Sequence, residues 1–166
     1  MNIIDSNNFN TIFENILIAK GGENVVKGRY DIEPIPLEKK SGFIIQLLQS
    51  LREIKSITYK MLFWEKDELI KDFLNSNLQD KDYKIAINYS GTEIPGVVFV
   101  DDKEFDYVLM KTILDTHFNY ELGVLPSLNL RVQICVNNVY DFIYLLDVYD
   151  DRGFDIYHLL KSKNDI

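Results

Sequence analysis

The sequence predicts an α+β fold: a mainly antiparallel sheet ending in C-terminal β-meander hairpins, with three to four helices packed on it. Three observations predict it. Apolar residues alternate with polar ones in short runs, most clearly in "DYKIAINYS" and "LNLRVQICV". Turn formers, Asn137-Asn138 and Asp150-Asp151-Arg152-Gly153, separate the last runs at hairpin spacing. Amphipathic stretches of helical period stand among the earlier strands, and hairpin-connected strands dominate the C-terminal part.

In chain order, Phe9, Ile12, Phe13, Ile16 and Leu17 follow helical spacing, with "DSNN" to cap and Gly21-Gly22 to stop. "GRYDIEPIPLE" contains Pro34 and Pro36 and reads as an edge strand running into a loop. Ser41 is placed to cap a second helix bearing Phe43, Ile44, Leu47, Leu48 and Leu51. "SITYKMLFW" is β-branched and aromatic, a strand by propensity. "EKDELIKDFLNS" gives a short amphipathic helix with Leu69, Ile70, Phe73 and Leu74 on one side. Tyr83, Ile85, Ile87 and Tyr89 alternate along a half-buried strand, "GTEIPG" turns, and "VVFV" is the next strand. "DKEFDYVLMKTILDTHF" is a helix with Phe105, Val108, Leu109 and Ile113 inward. "LNLRVQICV" puts Leu130, Val132, Ile134 and Val136 on one face, and "YDFIYLLDVYDDRGFDIYHL" supplies two more strands.

The 166 residues fit one globular domain, 1–166, and an apolar fraction of 46% is enough for a packed core. Twenty-six acidic against 18 basic side chains leave a net charge of −8. That excess repels phosphate backbones, no basic patch stands out, and nucleic acid is not expected as a partner. A basic protein partner suits it better, since complementary fields speed encounter. Cys135 is the only cysteine, so no intrachain disulfide can form. The N-terminus lacks a signal-peptide pattern and no apolar run approaches the roughly 18 residues of a membrane span. The expectation is a cytoplasmic protein, monomeric or weakly dimeric, with no membrane partner.

Motifs for chemistry are sparse. Asp147, Asp150, Asp151 and Asp155 crowd around Arg152 and Gly153, but their spacing does not fit a Ca²⁺ loop of EF-hand type. His117, His158 and Cys135 stand singly, without zinc-ligand spacing. The nucleophile-elbow and phosphate-loop patterns are missing. No catalytic residue, metal or cofactor is therefore expected. The alternative enzyme reading is a metal-dependent hydrolase or nuclease using Asp31, Glu38 and Lys40 in "DIEPIPLEKK". That chemistry needs a rigid strand, and the prolines place these residues on a loop.

A two-residue turn at Asn137-Asn138 would set Val136 opposite Val139, Val132 opposite Ile143 and Leu130 opposite Leu145. Phe142, Tyr144, Leu146 and Val148 would then form a second apolar face, needing a helix or offering self-association in a structural or regulatory module. At the final turn, Asp150, Asp151, Arg152 and Gly153 suit a three-residue bulged loop, with Gly153 at positive φ. In that register Tyr149 lies opposite Asp155 and Asp147 opposite Tyr157. Asp147, Tyr149, Asp155 and Tyr157 then share one face, a combination suited to contacting a basic protein.

"VQICVNNVYDFIYLLDVYDDRGFDI" resembles the C-terminal signature of an uncharacterised bacterial domain-of-unknown-function family, whose Y-D-D-R-G-x-D core matches Tyr149, Asp150, Asp151, Arg152, Gly153 and Asp155. "FDYVLMKTILDTHFNYELG" is similar to the helix before that hairpin, and "GRYDIE" to an N-terminal R-[FY]-E-L strand. Small acidic proteins of this kind look like immunity proteins of bacterial toxin systems, including contact-dependent growth inhibition. The resemblance implies a cytoplasmic antitoxin that occludes a cognate toxin, of basic nuclease type, with no active site of its own.

Overall fold

The computed structural model describes residues 25–51, 53–87, 95–138 and 142–160. The first predicted helix and most of the "GTEIPG" turn lie outside them. The described elements run β1 (Val25–Asp31), α1 (Leu37–Ser50), β2 (Ile54–Phe63), α2 (Asp67–Asn77), β3 (Asp82–Ile87), β4 (Gly96–Asp102), α3 (Tyr107–Glu121), β5 (Leu130–Asn138), β6 (Phe142–Val148) and β7 (Gly153–Leu160). The strands form one sheet in the order β1-β7-β6-β5-β2-β4-β3, antiparallel at every pairing. This is the α+β architecture expected, with β1 on the edge as the prolines after it predict.

One sheet face carries the core. Leu130, Val132, Ile134 and Val136 are all buried on it, as their alternation predicts, beside Ile57, Tyr59, Met61 and Phe63 of β2. The buried apolar residues of all three helices join this cluster. Burial of the apolar stripe, at about 25 cal/mol per Å² removed from water, is what drives the helices onto this face.

Several local expectations are corrected. Helix α1 starts four residues before Ser41, directly after Pro36, whose φ of −55° already suits helix entry. Ser41 is instead buried mid-helix and donates its hydroxyl to Asp115 of α3 at 2.5 Å. Val108 points outward at 71% exposure, and Met110, Leu114 and Phe118 complete the inward stripe of α3 in its place. The stripe is set by the helix start, and Asp106 caps it by accepting the Leu109 N–H at 3.0 Å. Leu69 of α2 and Tyr83 and Ile85 of the edge strand β3 also remain exposed.

The β5–β6 register differs most. Val136 pairs with Tyr144, Ile134 with Leu146 and Val132 with Val148. Strand β5 does not turn at Asn137-Asn138, because both asparagines go on pairing with β2, opposite Ser56 and Ile54. A ladder already under way outweighs a local turn preference. Leu146 and Val148 therefore lie in the core, and Leu145 faces the other way. The face suggested for self-association is thus helix-covered at Leu146 and Val148, with Tyr144 packed against them.

Candidate functional site

The second sheet face carries a row of side chains across all seven strands: Arg29, Asp155, Asp147, Gln133, Lys60, Phe99 and Lys84, each paired with the next. Period-2 alternation puts them there, since on β6, β5, β2 and β4 their sequence neighbours are committed to the core. Asp147, Asp155 and Tyr157 all lie on this face, and Tyr149 follows at the mouth of the loop. The sequence expectation that these four gather is met, with changed pairing: Asp147 is opposite Asp155, and Tyr157 is opposite Leu145.

The acids are not on the surface. Asp147 is 4% exposed and Asp155 9%. Opposed like charges destabilise a sheet unless each is neutralised. Here each is. Arg131 grips Asp147 with two bonds, Nε to Oδ1 at 3.0 Å and Nη2 to Oδ2 at 2.5 Å. Lys27 reaches Asp155 Oδ2 at 2.9 Å, with Arg29 Nη1 at 3.8 Å from Oδ1. The Asp155 bond raises the Lys27 ammonium above its ordinary value, and burial pushes the Tyr157 phenol up. Lys27 lies over the Tyr157 ring, and Arg29 and Arg131 both lie over Tyr149, at 5.4 and 5.9 Å from its centroid. A partner's cation would have to displace these groups to reach Asp147 or Asp155.

The loop after β6 is built as a turn, though not the one expected. Val148 and Phe154 close it, so five residues rather than three intervene. Asp150 Oδ1 accepts the backbone N–H of Arg152 at 2.9 Å and of Gly153 at 3.1 Å, and its Oδ2 accepts the Arg152 guanidinium at 2.8 Å. Burial by itself would raise the Asp150 carboxyl, but these donors outweigh it and hold it below 3.8. Gly153 does not take positive φ. It is needed for close approach, because a Cβ there would sit 2.7 Å from the Tyr30 carbonyl oxygen.

Lys40 does something the sequence did not disclose. It is 3% exposed, and its ammonium donates to the carbonyls of Ile32 and Asp151, each at 2.7 Å. Arg152 O accepts the N–H groups of Ile32 and Glu33, at 2.8 and 3.0 Å. The loop after β1 and the loop after β6 are thereby fastened to α1 as one unit. Glu38 sits exposed two positions earlier on the helix, about 200° around from Lys40. Asp31 is occupied as an Asx turn, accepting the Glu33 N–H at 3.0 Å. These three residues do not share a single loop: Asp31 ends β1, and Glu38 and Lys40 stand on different sides of α1.

Among the described residues no group of three or more His, Cys, Asp or Glu could hold a metal ion, and no helix is long and apolar enough to cross a membrane. His117, a lone histidine in the sequence, is buried in α3 and donates Nδ1–H to the Leu130 carbonyl at 2.5 Å. No family model, no curated protein and no solved structure matches the chain.

Proposed function

We propose that the protein is a stoichiometric binding protein of the immunity type, acting in the cytoplasm to neutralise a basic toxin by covering it. The supporting observation is the acidic end of the sheet that Lys40 fastens together. The Asp150 hydrogen bond chiefly raises the basicity of Arg152, with Asp151 and Glu33 adding to it, and Asp31 ends β1 two residues before Glu33. Asp31, Glu33 and Asp151 have no ion-pair partner among the described residues. A fixed anionic surface speeds encounter with a cationic partner and loses little entropy on docking.

The small size of the chain and its net charge of −8, like those of immunity proteins, agree with this reading. On this proposal the contact surface is the rim formed by Glu33 and Asp151, since Asp147 and Asp155 serve the chain's own cations. The test is co-expression with the toxic C-terminal domain of a secreted protein encoded beside the gene. Glu33→Lys with Asp151→Lys should slow association about tenfold at low salt and weaken protection. Unchanged association by this folded double variant would remove the rim from the interface. Failure of the wild-type protein to bind the domain would end the immunity reading itself.

A further inference from the structure

The core is incompletely filled at one corner, where β1, β7 and β6 pass the last turns of α1. A cavity of about 400 Å³ opens there. Its floor is Gly28 in the middle of β1, opposite Ile156 of β7. Gly28 is not at positive φ, and a Cβ on it would meet only Ile156 Cγ2, at 3.3 Å. Backbone conformation therefore does not demand glycine, and a Cβ would need only the Ile156 side chain to give by a few tenths of an ångström. The effect of the glycine is to leave the cavity open, and a glycine inside a strand commonly marks a place where something approaches the backbone. One wall is aromatic: the rings of Tyr144 and His158 stack on each other with centroids 4.5 Å apart and planes 12° from parallel. Leu47 and Leu51 of α1 also line the cavity, and both are only partly buried.

We propose that this cavity binds a small planar aromatic molecule of one or two fused rings. The molecule lies against the Tyr144–His158 pair, over the Gly28 backbone and under the α1 leucines. The volume falls within the range of small-molecule sites, which are mostly apolar with few polar groups. An aromatic wall favours a ring that meets it offset-stacked or edge-to-face over a saturated one of similar size. The site is separate from the acidic rim and does not depend on the partner proposed for it.

Indole is a suitable probe, titrated into uniformly ¹⁵N-labelled protein and followed by amide chemical shifts. Saturable shifts are expected at Gly28, Arg29, Ile156 and His158, with Kd on the order of 1 mM for a fragment of this size. Gly28→Val and Leu51→Trp fill the space from different sides, and each should weaken binding at least tenfold. Cyclohexanol should bind several-fold more weakly than indole. No saturable shift, undiminished binding by Leu51→Trp, or equal affinity for cyclohexanol would each overturn the proposal. Should Gly28→Val fail to fold, Leu51→Trp on the helix still decides the matter.

Discussion

Replacing Arg131 by methionine removes the cation from Asp147 while keeping a long apolar stem beside Tyr149. Two bonds of 3.0 and 2.5 Å disappear, and the Asp147 side chain is only 6% exposed. Among the described residues no second cation pairs with it, and Lys27 and Arg29 are engaged with Asp155. Breaking a buried ion pair from one side costs about 3–5 kcal/mol. The Arg131 side chain is 38% exposed, so water softens the loss, and about 2–3 kcal/mol is expected. Asp155, paired directly opposite, leaves a like charge facing the abandoned carboxylate.

Urea unfolding followed by circular dichroism reads this directly. With a slope of about 2 kcal/mol per molar, the midpoint should fall by roughly 1–1.5 M at unchanged slope. The double variant Arg131→Met/Asp147→Leu should recover most of the loss, since an apolar pair of similar volume can replace a buried ion pair nearly neutrally. A cost below about 0.5 kcal/mol for Arg131→Met, or strict additivity in the cycle, would refute the picture of two buried acids each held by its own cation.

Three further outcomes follow from the same geometry. Lys40→Met should cost about 2 kcal/mol by taking the ammonium from the Asp151 carbonyl and leaving the Ile32 carbonyl with the Ile35 N–H alone, and hydrogen exchange should quicken at Ile32 and Glu33 but not in β2. Gly153→Ala should cost about 1–3 kcal/mol in thermal unfolding, because its Cβ meets backbone at 2.7 Å, whereas Gly28→Ala should cost less, because its Cβ meets only the Ile156 side chain, at 3.3 Å. The Leu109 N–H chiefly, with Lys81, holds the Asp106 carboxyl below 3.8, so its charge stabilises the fold above that pH and loses this effect as pH falls through the lower folded value. Asp106→Asn should therefore flatten the acid limb of a stability–pH curve below about pH 4, and an unchanged limb would deny the carboxylate that role.

The two hairpins show what one sequence discloses and where it stops. Strand periodicity in "LNLRVQICV" identified the core face of β5 correctly, because alternation records which side chains avoid water. Asn137-Asn138 misled because turn chemistry is local, while those residues are held by β2, some eighty positions earlier. Helix α1 was displaced for the opposite reason: Ser41 looked like a cap, but its hydroxyl answers Asp115 on another helix. Neither long-range partner leaves a mark in the neighbouring sequence.

The sizes of the register errors then decide what survived of the candidate site. At the first hairpin Val136 pairs with Tyr144 instead of Val139, five positions away, and an odd shift exchanges the two faces of a strand. Leu145 and Leu146 accordingly traded sides. At the second hairpin Asp147 pairs with Asp155 instead of Tyr157, two positions away, and an even shift preserves the face. Asp147, Asp155 and Tyr157 therefore remained together although each pairing was wrong. What the hairpin could not show is their burial, because Lys27 and Arg29 come from β1, more than a hundred residues earlier, and Arg131 from β5. An acid cluster read from one hairpin looks like a surface awaiting a cation. Set beside β1 and β5, its two central acids hold cations of their own, and on the loops that Lys40 fastens together it is Glu33 and Asp151 that have no ion pair among the described residues.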